Sequence, residues 1–548
     1  MPPRTYSVTP LGYLVLLLLS LVVIWQGSRF LSPDPKALIP ASWTAQKPAP
    51  LPPTTGDAWT DAADLAMVED TIEEMLDIQN VLPPLPHIYA SQFPNLKLPL
   101  PLRRSSHHLI LAQRLHSFLT RPVLSHKQAL KANEEGCPRK TADGLVNPEQ
   151  FEDGKEFWEG VGEGEIVRRR ADVVKYISER LEAGQEVIGR RGKLGHGRGI
   201  VLTGGNKDTT LRTITTIKHL RGLGVDLPIE VFHYPGEISN RNRRQAIEEL
   251  GATLREAKGL SKEPGAWKNW QIKGAALVDS SFREIIYLDS DNSPLRSPVH
   301  LFDAPIYTSS GRAAFWPDLT KDHPHNAIWR IIGDTCSQDL FTFESGQIVI
   351  DKAGNEGLNM AALVIAAGML RDREFWFRMC GGDKDTFRWA FRVLGLEFGV
   401  APRWMGAVGI ENGFEGGRFC GHSVLQHDLI IPEGFTKEPP LFVHSNLLKH
   451  MRKIGLRQGD IFTHTLRMKN DNVSSPSLNY AHSHVYMGQA RGMCIDTQWH
   501  ANAPKSLLEG ADGKEGIEMG RVEEGEEGVF WEGFEGRWWE EGGKVGGW

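Results

Sequence analysis

WKNWQIKGAALVDSSFREIIYLDSDNSPL, residues 267–295, is the stretch that decides the fold. Its first part has helical spacing, and Arg283 to Asp291 then forms an apolar strand that ends in two carboxylates, Asp289 and Asp291. Two carboxylates one residue apart at the end of a strand can bind Mg²⁺ or Mn²⁺, which can bridge to a diphosphate. A simple turn is the alternative interpretation, because Asp, Ser and Asn are also good turn formers.

Apolar strands and amphipathic helices alternate on the amino-terminal side of this stretch. We predict a strand in GRGIVLTGG that runs into a glycine loop, a second strand at Leu227 to Tyr234, and helices at Thr209–Leu220, Arg241–Leu250 and Trp267–Ser280. This alternation predicts an α/β domain with a parallel sheet and helical crossovers. Such sheets bind ligands at the carboxyl ends of their strands, where both the glycine loop and the acidic pair fall.

The bulk composition excludes some classes of protein. The 62 basic and 68 acidic residues give a net charge of −6, so we expect no nucleic-acid partner, which would need a basic face. The five cysteines include no Cys-x-x-Cys pair, which argues against a cysteine-based zinc site. Their odd number leaves at least one free or paired with another chain. One or two disulfides are plausible in a lumenal chain, with the connectivity open.

The amino-terminal region predicts a membrane anchor. Residues Leu11 to Trp25 carry no charge, so we predict a cytoplasmic tail at 1–10, a transmembrane signal anchor at 11–28 and a proline-rich stem at 29–56. A cleaved signal peptide is the alternative, although no Ala-x-Ala-like site follows Trp25. The anchor would make the rest of the chain lumenal, and Asn472-Val473-Ser474 is an acceptable glycosylation sequon.

Three further regions follow from composition and periodicity. Residues 57–190 form a helical amino-terminal region, with apolar spacing at Asp57–Asn80, Leu109–Leu119 and Glu165–Ala183. Residues 191–508 form the catalytic domain. Residues 509–548 are rich in Gly, Glu and Trp and poor in aliphatics, which predicts a disordered tail.

The chain resembles the fungal Golgi α-mannosyltransferases of glycosyltransferase family 71 from about Arg198 to His450. GIVLTGG, the stretch quoted above, FWPD, FESGQIVIDK and GGDKDTFRWAF occur in the order of that family's motifs. The resemblance implies the GT-A fold, a single Rossmann-like domain, with GDP-mannose as the donor and Mn²⁺ (or Mg²⁺) as the metal. It also implies a type II Golgi membrane protein and a mannose-containing glycan acceptor. The downstream FVHSNLLKH is closest to the α-1,2 branch-initiating members.

The resemblance assigns metal ligands by motif. Asp289 and Asp291 match the metal-binding pair, and His444 falls where related enzymes bring a third ligand from a late loop. Imidazole suits manganese, but His422 and His427 are rivals for this position. A structural histidine is the alternative in each case.

The same motifs imply residues that contact the donor. Thr203, Gly204 and Gly205 match the first nucleotide loop, whose backbone N–H groups approach the donor, although an ordinary strand-to-helix turn fits equally well. Lys273 could reach a phosphate, unless it is a solvated helix lysine. Asp289 would contribute to donor binding through the metal ion that it binds.

The later motifs imply residues around the sugar. Glu344 would bind sugar hydroxyls or stabilise an oxocarbenium ion, Gly346 would allow close approach of the sugar, and Gln347 belongs to the same donor-binding motif. Asp383 and Asp385 would contact the donor sugar, with N-capping of the next helix as the alternative. The last candidates are Trp316 and Trp404. Their rings could stack on sugar rings, and a position in the protein core is the alternative.

These assignments describe a metal-dependent retaining mannosyltransferase. No strong nucleophile candidate emerges, so front-face displacement is favoured over a covalent intermediate. The alternatives are an α-1,3-mannosyltransferase, another hexosyltransferase that uses UDP-glucose or UDP-galactose, and a catalytically silent, anchored carbohydrate-binding protein.

Overall fold

The computed structural model describes residues 82–98, 106–138, 148–189, 195–262, 269–411, 419–452, 456–488, 492–508 and 516–546. The predicted cytoplasmic tail, anchor and stem, and the predicted helix at 57–80, lie outside these residues. Within the described ranges, no helix is both long enough and apolar enough to cross a membrane.

Fifteen α-helices are described. They are α1 His87–Gln92, α2 Ser106–Thr120, α3 His126–Asn133, α4 Pro148–Gly160, α5 Glu163–Glu182, α6 Lys207–Gly222, α7 Arg241–Glu249, α8 Gln271–Asp279, α9 Pro305–Ser309, α10 Ile328–Ile332, α11 Leu358–Arg371, α12 Arg373–Cys380, α13 Lys384–Leu394, α14 Lys505–Leu508 and α15 Phe534–Glu540. The predicted helices at 109–119, 165–183, 209–220, 241–250 and 267–280 are confirmed within a few residues.

Fifteen β-strands are described. They are β1 Arg198–Thr203, β2 Ile229–His233, β3 Ala252–Glu256, β4 Glu284–Leu288, β5 Asn292–Pro294, β6 Ala313–Lys321, β7 Phe341–Asp351, β8 Gly399–Val400, β9 Gly406–Ile410, β10 Cys420–His427, β11 Pro440–His444, β12 His464–Met468, β13 Ala481–Gly488, β14 Gly492–Trp499 and β15 Ile517–Arg521.

The central sheet has seven strands in the order β3-β2-β1-β4-β7-β6-β8. The first four are parallel, as predicted, whereas β7 runs antiparallel to β4. The sheet is therefore mixed rather than purely parallel. Strands β2 and β4 are buried along their whole length because helices cover both faces of the sheet.

An antiparallel sheet of eight strands follows in the chain, in the order β13-β14-β10-β9-β12-β15, with β11 pairing with both β10 and β5. The sequence did not predict this sheet. Its β5–β11 pairing begins directly after the acidic pair of the central sheet, so the two sheets meet at the predicted metal site.

The carboxyl-terminal segment is folded where it is described, which corrects the prediction of a disordered tail at 509–548. Strand β15 pairs with β12, and α15 packs against α6 through an edge-on ring contact between Phe534 and His219 with centroids 5.6 Å apart. The prediction failed because it counted aliphatics, whereas aromatic side chains supply the apolar area here. Those buried in the core of this segment are Trp531, Phe534 and Trp538.

Two disulfides form, Cys137–Cys336 and Cys420–Cys494, and Cys380 is a buried free thiol. This agrees with the expectation of one or two disulfides and one unpaired cysteine. The first bond joins α3 to the segment before β7, and the second joins β10 to β14 within the second sheet.

Candidate metal centre and donor cleft

The acidic pair lies where strand β4 leaves the central sheet. The Asp289 N–H donates to Gly346 O on β7 at 2.8 Å, which fixes the first carboxylate against the neighbouring strand. Three residues later the chain enters β5, where Asn292 pairs with His444 of β11. The Ser445 N–H donates to Asp291 O at 2.8 Å. Strand pairing therefore brings the late histidine to the acidic pair.

The side chains of Asp289, Asp291 and His444 converge, with their ligand atoms all within 4.8 Å of one another. His444 Nε2 lies 3.2 Å from Asp291 Oδ1 and 3.9 Å from Asp289 Oδ2. Two carboxylates and one imidazole suit Mn²⁺ or Mg²⁺, whose remaining positions are filled by phosphate oxygens and water. The donor set therefore fits the metal that the resemblance implies.

Glu344 orients the histidine. Its Oε1 lies 3.4 Å from His444 Nδ1 and accepts a hydrogen bond from the Gly346 N–H at 2.7 Å. A carboxylate on one ring nitrogen turns the other, Nε2, toward the acidic pair, as in many metal sites. Burial alone would raise the pKa of the Glu344 carboxyl, but His444 and the Gly346 N–H lower this pKa to about 2. The described contacts give Glu344 a positioning role, and its contact with the sugar stays a prediction.

Gly346 makes room for the histidine ring. A Cβ at this position would lie 2.5 Å from His444 Nδ1, closer than side-chain carbons approach other atoms. Close approach of the imidazole is thus one reason for glycine at this position, and close approach of a sugar stays a prediction.

In the protein without a metal ion, the acidic and basic side chains of the metal cluster stabilise one another's charges. Burial would lower the pKa of His444, but Glu344 and Asp291 raise it to about 10, so the imidazole is protonated at neutral pH. Burial would raise the pKa of Asp291, but Lys449 and His444 hold it well below its usual range. A metal ion would displace the imidazole proton, because only the neutral ring is a ligand.

The Lys273 side chain contacts residues from three of the sequence motifs. Its ammonium group lies 3.2 Å from Asp289 Oδ2 and 2.6 Å from Asp383 Oδ2, and it donates to Ser345 Oγ at 2.9 Å. Burial opposes ionisation, but the two carboxylates raise the pKa of Lys273 above its ordinary value. The lysine is thus a buried cation of the site, not a solvated helix residue. Its contact with a phosphate stays a prediction.

Lys449 is a site residue that the sequence analysis missed. Its Nζ lies 2.8 Å from Asp291 Oδ2, and its side chain lines the same cleft as Lys273. The signal lay in FVHSNLLKH, where a lysine follows His444 by five residues. The cleft therefore has one cation on each side of the acidic pair.

A cleft of about 260 Å³ opens beside the acidic pair, between the β1–α6 loop and α8. Thr203 lines it and bonds to the Tyr287 hydroxyl at 2.8 Å, which in turn donates to Asp289 Oδ1 at 2.6 Å. Arg212, a second cation that the sequence analysis missed, also lines it. The volume is close to the lower end of the range for small-molecule sites.

The glycine loop lines the cleft, but its amides already have partners. The Gly204 N–H donates to Phe232 O at 3.0 Å, and the Gly205 N–H donates to Thr209 Oγ1 at 3.0 Å. A Cβ on Gly205 would lie 1.8 Å from Glu237 Oε2. These internal hydrogen bonds correct the prediction that the two N–H groups are aimed at a donor, and a side chain at Gly205 would require Glu237 to move.

Three predicted donor or stacking residues face the protein interior. Gln347 is fully buried and accepts a hydrogen bond from Asn292 Nδ2 at 2.7 Å, so it supports the acidic loop from below. Trp316 donates to His427 O at 2.7 Å and Trp404 donates to Asp318 O at 2.8 Å, and both rings are completely buried. These tryptophans are core residues.

The two aspartates of Asp383-Lys384-Asp385 have different surroundings. Asp383 pairs with Lys273 in the site, and its side chain makes no cap hydrogen bond to α13. Asp385 is 1% exposed, pairs with Arg388 at 2.8 Å and accepts from the Phe343 N–H at 3.1 Å. The structure places Asp385 in a buried ion-pair network, which corrects its predicted contact with the donor sugar.

The rival histidines lie away from the acidic pair. His422 bonds through Nε2 to Ile461 O at 2.8 Å and through Nδ1 to Ser423 Oγ at 2.9 Å, and burial lowers its pKa to about 4. His427 is completely buried, and burial with nearby cations lowers its pKa well below the usual range. Of the three histidines considered, only His444 reaches the acidic pair.

Comparison with known proteins gives a consistent result. Residues 197–340 match the family model described as "Mannosyltransferase putative". The chain is 27% identical over 287 residues to α-1,2-mannosyltransferase MNN2 of Saccharomyces cerevisiae, covering 43% of this chain and 46% of that protein. It is 32% identical over 282 residues to α-1,2-mannosyltransferase MNN22 of Candida albicans, covering 42% and 46%. The chain thus spans less than half the length of these curated relatives.

Among solved structures, core-mannan synthase A from Aspergillus fumigatus in its Mn/GDP form aligns with 40% of this chain and 75% of its own. The sequence identity is 9% and the TM-score is 0.25, a score too low to carry an argument.

Proposed function

We propose, from the premise that this chain belongs to the fungal α-mannosyltransferase family, that it is a metal-dependent retaining α-1,2-mannosyltransferase with a GT-A fold. The donor would be GDP-mannose and the acceptor a mannose-terminated glycan. One observation carries the proposal: Asp289, Asp291 and His444 converge within 4.8 Å at the carboxyl end of β4, beside a cleft lined by Thr203 and Lys273. The relatives named α-1,2-mannosyltransferases support the sugar and the linkage.

The residues around the cleft would bind the diphosphate and hold the ligands in place. A divalent ion bound by the cluster supplies positive charge that stabilises the departing nucleoside diphosphate. Lys449 and Lys273 flank the acidic pair at 2.8 and 3.2 Å, where their ammonium groups can turn from carboxylate to phosphate oxygens. Glu344 keeps His444 Nε2 directed at the pair.

The carboxylates of the cleft support front-face displacement. Asp383 and Asp289 pair with Lys273, Asp291 pairs with Lys449, and Glu344 pairs with His444. Each of these four carboxylates is thus held by a cation, and none of them is singled out as a nucleophile. The protein would therefore act mainly by placing the acceptor hydroxyl on the face from which the diphosphate leaves.

The location we propose is the Golgi lumen, with a membrane anchor in residues 11–28. Two disulfides, Cys137–Cys336 and Cys420–Cys494, support an oxidising compartment for the folded part of the chain.

The test is an assay of the full chain with GDP-mannose, UDP-glucose and UDP-galactose, with and without Mn²⁺, on mannose-terminated oligosaccharides. We expect Mn²⁺-dependent consumption of GDP-mannose alone and a new α-1,2 linkage by NMR. Turnover only with a UDP-sugar would contradict the mannosyl assignment. An inverted anomeric configuration would contradict the proposed stereochemistry.

A further inference from the structure

A second group of metal-ligating side chains lies on elements other than those of the donor cleft. His126 is the first residue of α3, Glu159 is near the end of α4, and His325 follows β6. Their ligand atoms all lie within 4.8 Å of one another. His325 Nδ1 is 3.0 Å from Glu159 Oε1, and the rings of His126 and His325 have centroids 5.1 Å apart. Three parts of the chain far apart in sequence thus meet at one point.

The segments that carry the two histidines are held together by other contacts. Asn133, at the other end of α3 from His126, donates to Pro324 O at 2.9 Å, next to His325. Its side-chain oxygen accepts from the Cys336 N–H at 2.9 Å. Just beyond α3, the Cys137–Cys336 disulfide fixes the same two segments. The separation of the two histidines therefore does not depend on their own side chains.

The helix that carries Glu159 is also anchored. Arg330 donates to Val161 O at 2.6 Å and to Trp158 O, the carbonyls on either side of Glu159 in the chain. The Trp158 indole donates to Arg378 O at 2.7 Å. A cluster whose three supporting elements are all fixed is preorganised, and ordering it costs little when an ion binds.

The chemical nature of the three metal-ligating side chains favours one class of metal ion. Two imidazoles and one carboxylate form a ligand set typical of zinc, whereas the two carboxylates and one imidazole of the donor cleft suit manganese or magnesium. Zinc bonds of about 2.0–2.2 Å place neighbouring ligand atoms about 3.4 Å apart. The ligand atoms, within 4.8 Å of one another, need to shift by only about an ångström. The Glu159 side chain is 40% exposed, which gives an ion a path from solvent.

A fourth ligand is close. The ring of His323 lies 5.2 Å from that of His325, centroid to centroid, and its Nδ1 accepts a hydrogen bond from the His325 N–H at 3.2 Å. A water molecule can complete the tetrahedron if His323 stays outside it.

We propose that His126, Glu159 and His325 form a second metal site, which binds Zn²⁺ and fastens helices α3 and α4 to the segment after β6. The site is structural and does not depend on the proposed transferase activity. Bound zinc stabilises the folded chain because the unfolded chain does not bring the three ligands together.

The experiment uses the full-length chain with Asp289→Ala, so that the donor cleft has lost a metal ligand. The protein is stripped with a chelator, supplied with ZnCl₂ and passed through a desalting column. We expect one zinc per chain by mass spectrometry of the metal, an X-ray absorption spectrum with imidazole scattering, and a higher melting temperature with zinc than without. Absence of stoichiometric zinc would overturn the proposal and leave Glu159 and His325 as a simple ion pair.

Two substitutions and one control locate the ion. His126→Ala and Glu159→Gln, each added to Asp289→Ala, should weaken zinc binding at least about tenfold and remove its effect on the melting temperature. Glu156→Gln changes an exposed carboxylate on the same helix and should leave both unchanged. Glu159 is partly exposed, so its variant is expected to fold, which circular dichroism checks. Zinc binding that survives both substitutions would contradict the site.

Discussion

His219 on helix α6 and Glu541, which directly follows helix α15, form a hydrogen-bonded pair, with His219 Nδ1 2.8 Å from Glu541 Oε2. The other ring nitrogen of His219 lies 2.7 Å from Pro294 O, three residues beyond Asp291. The imidazole thus connects the carboxyl-terminal segment to the strand that follows the acidic pair. A gap of about 30 Å³, lined by Asp291 on one side and Trp538 and Lys544 on the other, separates that segment from the metal cluster.

Replacing Glu541 with Ala should destabilise the protein and lower its activity. His219 is 1% exposed, and loss of its partner leaves a buried polar group unsatisfied, at a cost of about 1–3 kcal/mol. The midpoint of thermal unfolding measures this change. Glu540→Ala, at an exposed position next to it, is the matched control and should have little effect. Equal midpoints for the two variants would show that the pair is not important for stability.

Replacing Asp289 with Ala should abolish transfer while leaving the fold intact. The metal cluster loses a ligand, and removal of metal stabilisation worth several kcal/mol slows the reaction about 10³-fold or more. Initial rates with saturating Mn²⁺ measure the loss. Asp303→Ala removes a carboxylate that is 69% exposed and pairs with Arg198, and it should retain normal rates. Normal transfer by the Asp289 variant would remove the metal hypothesis.

Asp383 and Asp385 should respond differently to substitution by Asn. Asp383→Asn removes one of the two carboxylate partners of the buried Lys273 within the site, so we expect about a tenfold or larger fall in kcat/KM together with a lower melting temperature. Asp385→Asn leaves the fully buried Arg388 with only Asp322 as an ionic partner. Breaking such a buried pair costs about 3 kcal/mol or more in unfolding free energy. The predicted structural role of Asp385 would be wrong if its variant lost activity but not stability.

The buried His422 should make the protein sensitive to acid. Its pKa is lowered to about 4 by burial, below the value of about 6.5 in the unfolded chain. The unfolded state therefore binds the proton first, so the contribution of His422 to stability is present above pH 6.5 and is lost as the pH falls to 4.

The size of this effect is on the order of 3 kcal/mol. Denaturant unfolding at several pH values between 4 and 7 measures it, and the His422→Asn variant serves as the reference. The difference in unfolding free energy between wild type and variant should shrink as the solution becomes more acidic. A difference that stays constant over this range would contradict the assignment.

Much of the central sheet could be predicted because its strands are apolar on both faces and are separated by amphipathic helices. The acidic pair also marked the correct edge of the sheet. The second sheet could not be predicted, since its strands contain glycine and polar residues and several of them pair with distant segments.

The composition of the site was easier to predict than the roles of its members. The residue types and the motif order identified Asp289, Asp291 and His444, which the structure brings together. The position of Gly346 in its motif could not show that the His444 imidazole fills the space beside this glycine. That contact depends on the packing of segments remote in sequence, whereas the Asp385–Arg388 pair is a local i,i+3 contact on α13 that helical spacing allows. Lys449 was missed because its place in FVHSNLLKH does not by itself show that its side chain reaches Asp291.

The contact between His219 and Glu541 also sets an order of events during synthesis. Asp291 and Glu541 are about 250 residues apart, and translation at about 5–20 residues per second separates their appearance by about 10–50 s. During that interval the acidic pair exists without the segment that packs behind it. A nascent chain therefore completes the surroundings of its metal cluster only after Glu541 has been made, and a variant that lacks the segment around Glu541 would never do so.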